Sequence, residues 1–174
     1  ARDFNRRVLE KKGVKVIVGD IRNGRAFIRL CKRARVDFIA HTAAQPTMTL
    51  SIENPQLDFS TNVQGTCNCL EAARQCRIPI VSCNSIHCYG PDKINSELKE
   101  ETTHYTRKPT AINEDEPLLQ GVVTPLHASK TAAENYVRCY IDSYKIKAAS
   151  FRLTGIYGPN QFGGEDHGWV ANFA

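Results

Sequence analysis

The stretch "TPLHASK", residues 124–130, sets Ser129 and Lys130 near the start of a helical run that continues as "TAAENYVRCYIDSYK". A lysine placed there can bind a hydroxyl or an anion. It can also lower the pKa of a hydroxyl one turn earlier, because residues four apart share a helix face. The residue one turn earlier is Leu126, which has no proton to exchange. A second hydroxyl, Ser85, follows the apolar run "IPIVSCN" and could orient a ligand hydroxyl. The plain alternatives are an exposed helix lysine and a strand-end serine bonded to backbone. A proton acceptor would have to come from His127, Tyr89 or Tyr105. His127 titrates near neutrality but lies about 100° around the helix from Leu126. Tyr89 reads as packed, and Tyr105 falls in a segment without clear period.

The elements that must carry these residues alternate. "VKVIVG" (14–19) is a β-branched run ending at Asp20, and "GRAFIRLCKRA" follows with helical spacing. "VDFIAH" (36–41), "IPIVSCN" (78–84) and "KAASFRL" (147–153) read as further strands, and 56–75 and 127–144 as long helices. Apolar strands separated by helices predict an α/β fold: a doubly wound, Rossmann-like parallel sheet covered on both faces, with ligands beyond the carboxyl ends of the strands. Asp20, His41 to Gln45, Ser85 and the loop 154–168 all fall at such ends. Asp20 could equally cap the helix that follows it, and His41 reads as a satisfied strand-end histidine. Segment 91–123 carries Pro91, Pro109 and Pro117 and is too long for a plain connection, which predicts a substrate-facing loop.

A dinucleotide-binding domain normally opens with a strand and a G-x-G-x-x-G turn at a helix N-terminus. No such turn occurs here, "ARDFNRRVLEKKG" reads as the end of a helix, and the chain stops inside the apolar run "WVANFA". The expectation is a partial domain over 1–157 that lacks the first βαβ unit, then the start of a substrate-binding region at 158–174. No apolar run is long enough to span a membrane. The net charge of +5 is dispersed, without a basic tract to suggest nucleic acid. Seven cysteines, none in a C-x-x-C pair, read as buried small hydrophobes in a reducing cytoplasm, not as metal ligands.

Five segments together resemble the extended short-chain dehydrogenase/reductases, in particular the NAD-dependent nucleotide-sugar epimerase/dehydratase family. They are "VIVGDIRN", "HTAAQ", "NVQGTCNCLEAAR", "NSIHCYG" and "FRLTGIYGPNQF", in the family's order and spacing. Within that group "TMTLSIENP", "ETTHYTRK" and "DHGWV" resemble CDP-paratose 2-epimerases. The resemblance implies oxidation and re-reduction of a sugar carbinol by bound NAD. A tyrosine base, with an ordinary pKa of about 10, would be activated by the lysine one turn later, which also binds the nicotinamide ribose. Here Lys130 matches that lysine and Leu126 stands in the tyrosine position. Ser85 matches the hydroxyl that orients the substrate.

The resemblance further implies cofactor contacts at Asp20, Ile21, Thr42, Ala43, Ala44, Gln45, Asn62, Lys130, Leu153 and Thr154. Substrate contacts fall at Ser85, Gly155, Gln161 and Trp169. It implies a homodimer formed by the helices 56–75 and 127–144, with Val63, Leu70, Val137 and Ile141 on its outer face. Two other readings remain: a non-catalytic nucleotide-binding relic, and a dehydratase or decarboxylase. "NSIH" lacks the Asp-Glu pair that dehydratases carry beside the catalytic hydroxyl, which counts against a dehydratase.

Overall fold

The computed structural model describes residues 2–164 and 168–173. In chain order its first half holds helices α1 (Arg2–Lys11) and α2 (Gly24–Ala34), strand β1 (Ile39–His41), helices α3 (Met48–Glu53) and α4 (Pro55–Phe59), a π-helical turn (Ser60–Gln64) and helix α5 (Gly65–Cys76). Strand β2 (Ile80–Ser85), a 3-10 turn (Ile86–Cys88), helix α6 (Pro91–Ser96), strands β3 (Leu98–Glu100) and β4 (Tyr105–Arg107), helix α7 (Pro125–Tyr144), strand β5 (Ala148–Leu153) and helix α8 (Trp169–Phe173) follow.

Strands β1, β2 and β5 form a parallel sheet in the order β1-β2-β5, with His41 beside Ser82 and Ser85 beside Leu153. Alternation along β1 and β2 puts Ile39, His41, Ile80, Ser82 and Asn84 on a buried face. That face packs against α5 and α7, with Leu70, Ala73, Val137 and Cys31 completing the core. Parallel strands joined by helical crossovers bring all three carboxyl ends to one edge. Ser85 is the last residue of β2, and Ala43 and Thr154 follow the ends of β1 and β5.

The expectation of a sheet covered on both faces is not met by the described residues. Ala40, Ala149 and Phe151 are exposed, and Val81 and Cys83 only half-buried. Among the described residues the opposite face of the sheet is therefore largely uncovered, although its residues are mostly apolar.

Residues 14–19 belong to no strand, because a strand exists only where a neighbour pairs with it. Val18 is 85% exposed. The 20–22 turn is held from the helical side instead: Asn68 of α5 donates to the Ile21 carbonyl at 2.8 Å. Gly65 allows that approach, since a Cβ there would lie 2.4 Å from Ile21 Cδ1. The second strand is shorter than 36–41. The helix over 56–75 is broken by the π turn, in which the Gly65 amide reaches back to the Ser60 carbonyl.

Segment 91–123 is not a plain loop. It carries α6 and the antiparallel pair β3–β4, elements too short for a visible period. Arg107, 8% exposed, organises it through Glu97, Glu116 and the carbonyls of Pro109 and Ala111. The segment is tied to the sheet by Tyr89, whose hydroxyl donates to the Asn113 carbonyl at 3.1 Å, and by Arg152, which donates to the Glu114 carbonyl at 2.7 Å.

Candidate functional site

Helix α7 starts with Pro125 at its first position, where a missing N–H costs nothing. Thr124 caps it with an unusual partner. The His127 ring accepts the Thr124 amide at Nδ1, 3.1 Å away, and the Thr124 hydroxyl lies 2.9 Å from the same nitrogen. Histidine thus fills the place of Glu or Gln in a capping box. With its Nδ1 lone pair committed to a backbone N–H, the ring is neutral with its proton on Nε2. Burial also holds its pKa below the usual histidine range. This excludes His127 as a free base in this arrangement. Tyr89 is committed too: its oxygen accepts from Arg152 at 2.6 Å while Arg152 lies over the ring, 4.7 Å from its centre. Tyr105 is 65% exposed on β4.

Leu126 is 1% exposed. Its amide donates to the hydroxyl of Ser51 on α3, and its carbonyl accepts from Ser129. One turn on, Lys130 is 7% exposed, and its ammonium makes no hydrogen bond or ion pair with the described residues. It borders a cavity of about 10 Å³ that Asn62, Thr66, Ser82 and Asn84 also line, room for one water. Burial pulls the Lys130 pKa down, and Asp58 and Cys88 push it back up.

A polar network fixes the surroundings. Asn62, in the π turn, accepts the Gln45 amide at 2.9 Å and donates to the Gln45 carbonyl, to Asp58 Oδ1 and to the Ser129 hydroxyl. Gln45 Nε2 donates to the same Asp58 oxygen at 2.9 Å. The loop Thr42–Gln45 is thereby anchored at its buried end, Gln45, while Thr42, Ala43 and Ala44 stay exposed.

His41 sits below this network. The Thr66 hydroxyl gives its proton to the Asn62 carbonyl at 2.6 Å. His41 Nε2, 3.0 Å away, must therefore be the donor to Thr66, which leaves Nδ1 to accept from the Cys69 thiol at 3.6 Å. Desolvation, with Lys130 adding to it, lowers the His41 pKa to about 4.

Ser85 ends β2, and its hydroxyl oxygen accepts the His87 amide at 3.2 Å. Its proton remains uncommitted among the described residues. No hydrogen bond among the described residues joins Ser85 to Lys130 or to Leu126. The strand and helix are instead linked by Asn84, which donates to the Lys130 carbonyl at 2.9 Å, and by His87, edge-on to His127 with ring centres 5.2 Å apart.

Asp20 does not cap α2; Asn23 does, accepting the Ala26 amide. The Asp20 carboxylate is held by the Arg22 guanidinium at 2.6 Å, at the rim of a cleft of about 700 Å³ shared with Gln64 and Asn68. At the other end of the sheet edge, Leu153 and Thr154 lead to Gly155, beside which the Trp169 indole lies. Gln161 donates to the Ile156 carbonyl, and its Oε1 is buried with no hydrogen-bond partner among the described residues. Asp166 and His167 of the "DHGWV" segment lie outside the described residues.

Val63, Leu70 and Val137 do not form an outer face. They are 4%, 0% and 2% exposed and belong to the interior, because the face they share looks toward the sheet and the neighbouring helix. Sequence reading singled out Ser129 only as the neighbour of Lys130, and it missed Asp58, Asn68, Asn84 and His87. The one trace in the sequence is that Asp58, Asn62 and Thr66 recur every four residues.

The family model described as the NAD dependent epimerase/dehydratase family matches residues 1–174. The CDP-paratose 2-epimerase of Salmonella typhi is 38% identical over 159 residues, covering 89% of this chain and 46% of that protein. The UDP-glucose 4-epimerase of Thermus thermophilus, solved in complex with NAD, matches with a TM-score of 0.69 at 30% identity, over 88% of this chain and 45% of that one. A dTDP-glucose 4,6-dehydratase from Streptomyces venezuelae, solved with NAD and TYD bound, matches with a TM-score of 0.66 at 27% identity, over 85% of this chain and 40% of that one. The chain thus spans less than half the length of these relatives.

Proposed function

The chain belongs to the NAD-dependent epimerase/dehydratase family, and on that premise we propose that the whole protein is a nucleotide-sugar epimerase of the CDP-paratose 2-epimerase kind, with Leu126 in place of its proton-transfer residue. The observation that carries this reading is the Lys130 ammonium: buried, without a partner among the described residues, and close to the carboxyl edge of a parallel sheet.

Such a group suits the ribose hydroxyls of a dinucleotide, which supply the acceptors it lacks. Thr42 to Gln45, Asn62, Leu153 and Thr154 would hold the cofactor along the same edge. Asp20 and Ile21 would take its adenine end, once Arg22 releases the Asp20 carboxylate. When bound, NAD supplies the hydride acceptor and donor. Ser85 has a free proton with which to orient the substrate hydroxyl, and Lys130 supplies positive charge. Removal of the sugar hydroxyl proton finds no group at Leu126, and both His127 and Tyr89 are engaged elsewhere.

Residues 1–157 form the cofactor half of this assignment and 158–174 open the substrate half; Gly155, just before the join, would meet the nucleotide sugar together with Gln161 and Trp169. The segment 91–123 lies over the substrate. The site operates in the cytoplasm, in keeping with seven free cysteines. A homodimer built on the helices 56–75 and 127–144 would use the outward residues Phe59, Tyr136, Cys139 and Tyr144, which are exposed.

A second reading, a nucleotide-binding module without redox activity, is favoured by the burial of Leu126. Binding and turnover separate the two. NAD affinity of the full-length protein, measured by calorimetry, should fall about tenfold or more in Lys130→Met, as expected for losing a hydrogen bond from a charged group. Full-length protein that binds no NAD, or a variant that binds as well as the parent, overturns the cofactor assignment. A CDP-sugar converted to its epimer, followed by NMR, distinguishes the enzyme from the binding module.

A further inference from the structure

We propose that Asp58 is the counter-ion of Lys130, a buried carboxylate aimed by the amides of Gln45 and Asn62 that keeps the lysine cationic for its ligand. Asp58 is 1% exposed and Lys130 is 7% exposed. Each is a charge that burial disfavours unless an opposite charge compensates it. Neither makes an ion pair at contact distance among the described residues, and one side chain links their surroundings. Asn62 Nδ2 donates both to Asp58 Oδ1 and to Ser129, the residue before Lys130.

The other titratable groups around Lys130 do not supply negative charge. On the 3-10 turn the Cys88 thiol is pushed up to about 12, mainly by burial. His41 on β1 and His87 on the 3-10 turn are both pushed below the usual histidine range, so they are neutral. On α4, Asp58 is the one carboxylate among the described residues that acts on Lys130. The π turn makes this possible. By widening the helix between α4 and α5 it presents Asn62 inward, with Asp58 one turn before it. This assignment deepens the reading above and rests on it for the identity of the ligand; its test uses no ligand.

The test is the titration of Lys130 in the 174-residue chain, followed by NMR of lysine labelled at Cε and assigned with Lys130→Met. Asp58→Asn keeps an oxygen for both amide donors and removes only the charge. The Lys130 midpoint should fall by about one unit or more, the usual effect of removing a nearby opposite charge. Asp142→Asn, on the exposed side of α7, should leave it unchanged. A midpoint unmoved in Asp58→Asn, with the Gln45 and Asn62 amide resonances unchanged, overturns the proposal. If Asp58→Asn does not fold, adding Lys130→Met should restore the fold by removing the uncompensated ammonium. A double variant that stays unfolded also overturns it. A chain whose midpoint moves while the full-length protein binds no NAD retains the counter-ion and loses the cofactor reading.

Discussion

The side-chain amide of Asn84 donates to the main-chain carbonyl of Lys130 at 2.9 Å, joining residues 46 apart. Asn84 is 7% exposed, and the bond sets the first turns of α7 over the carboxyl end of β2. Asn84→Leu should therefore cost about 1–3 kcal/mol, the usual penalty for an unmatched buried polar group. Asn84→Asp should cost more at neutral pH, because a carboxylate cannot donate to that carbonyl, and part of the loss should return on acidification. Urea unfolding of the three proteins measures this. Equal stability of Asn84→Asp and the parent at neutral pH would contradict the role given to the bond.

The His41 pKa, lowered to about 4, dictates a pH dependence. Unfolding returns the ring to an ordinary value of about 6.5, so between the two values the unfolded chain binds more protons. The stabilising contribution is therefore complete above about pH 6.5 and is lost as pH falls toward about 4, by roughly 3 kcal/mol in total. His41→Gln, with an amide for the Thr66 hydroxyl and no titration, should flatten the stability profile over that window. A parent whose stability is level from pH 7 to 4 would exclude this account.

His127 caps α7 through its ring nitrogen, not through any chemistry. His127→Ala should cost about 1 kcal/mol and His127→Glu much less, since Glu makes the ordinary capping box. Thermal unfolding compares them. If the alanine and glutamate variants lose equally, the ring is held for another reason.

What the residues disclosed in advance divides along a physical line. Strands β2 and β5 and helix α7 were legible because apolar runs and caps are local signals. The cluster of Ala43, Ser85 and Thr154 at one edge followed from parallel topology. Residues 14–19 misled because a β-branched run states a preference, while a strand needs a partner. The covering of both sheet faces misled for a similar reason: Val81 and Phe151 advertise burial, but Val81 is only half-buried and Phe151 is exposed. The Asp58–Asn62–Gln45 network was not legible, since its meaning lies in three side chains meeting across a π turn that no local pattern announces.

The open sheet face carries its own consequence. Phe151 is 53% exposed beside Ala149, Cys83 and Val81, a contiguous apolar surface of the kind that drives association. The 174-residue chain should self-associate through this face. Phe151→Lys should lower the apparent mass in light scattering, while Tyr136→Lys on α7 should lower it less. A larger effect from Tyr136 would place the contact on the helices.

The reading of Leu126 as a lost proton-transfer residue meets its most direct test in turnover of a CDP-sugar by the full-length protein, comparing the parent with Leu126→Tyr. A restored phenol would lie one turn before Lys130, where a cation lowers its pKa. General acid–base catalysis contributes about 10²–10⁴-fold, and the account predicts a gain of that order with NAD bound in both proteins. A parent that already turns over as fast as Leu126→Tyr, or a variant that binds NAD and gains nothing, would contradict it.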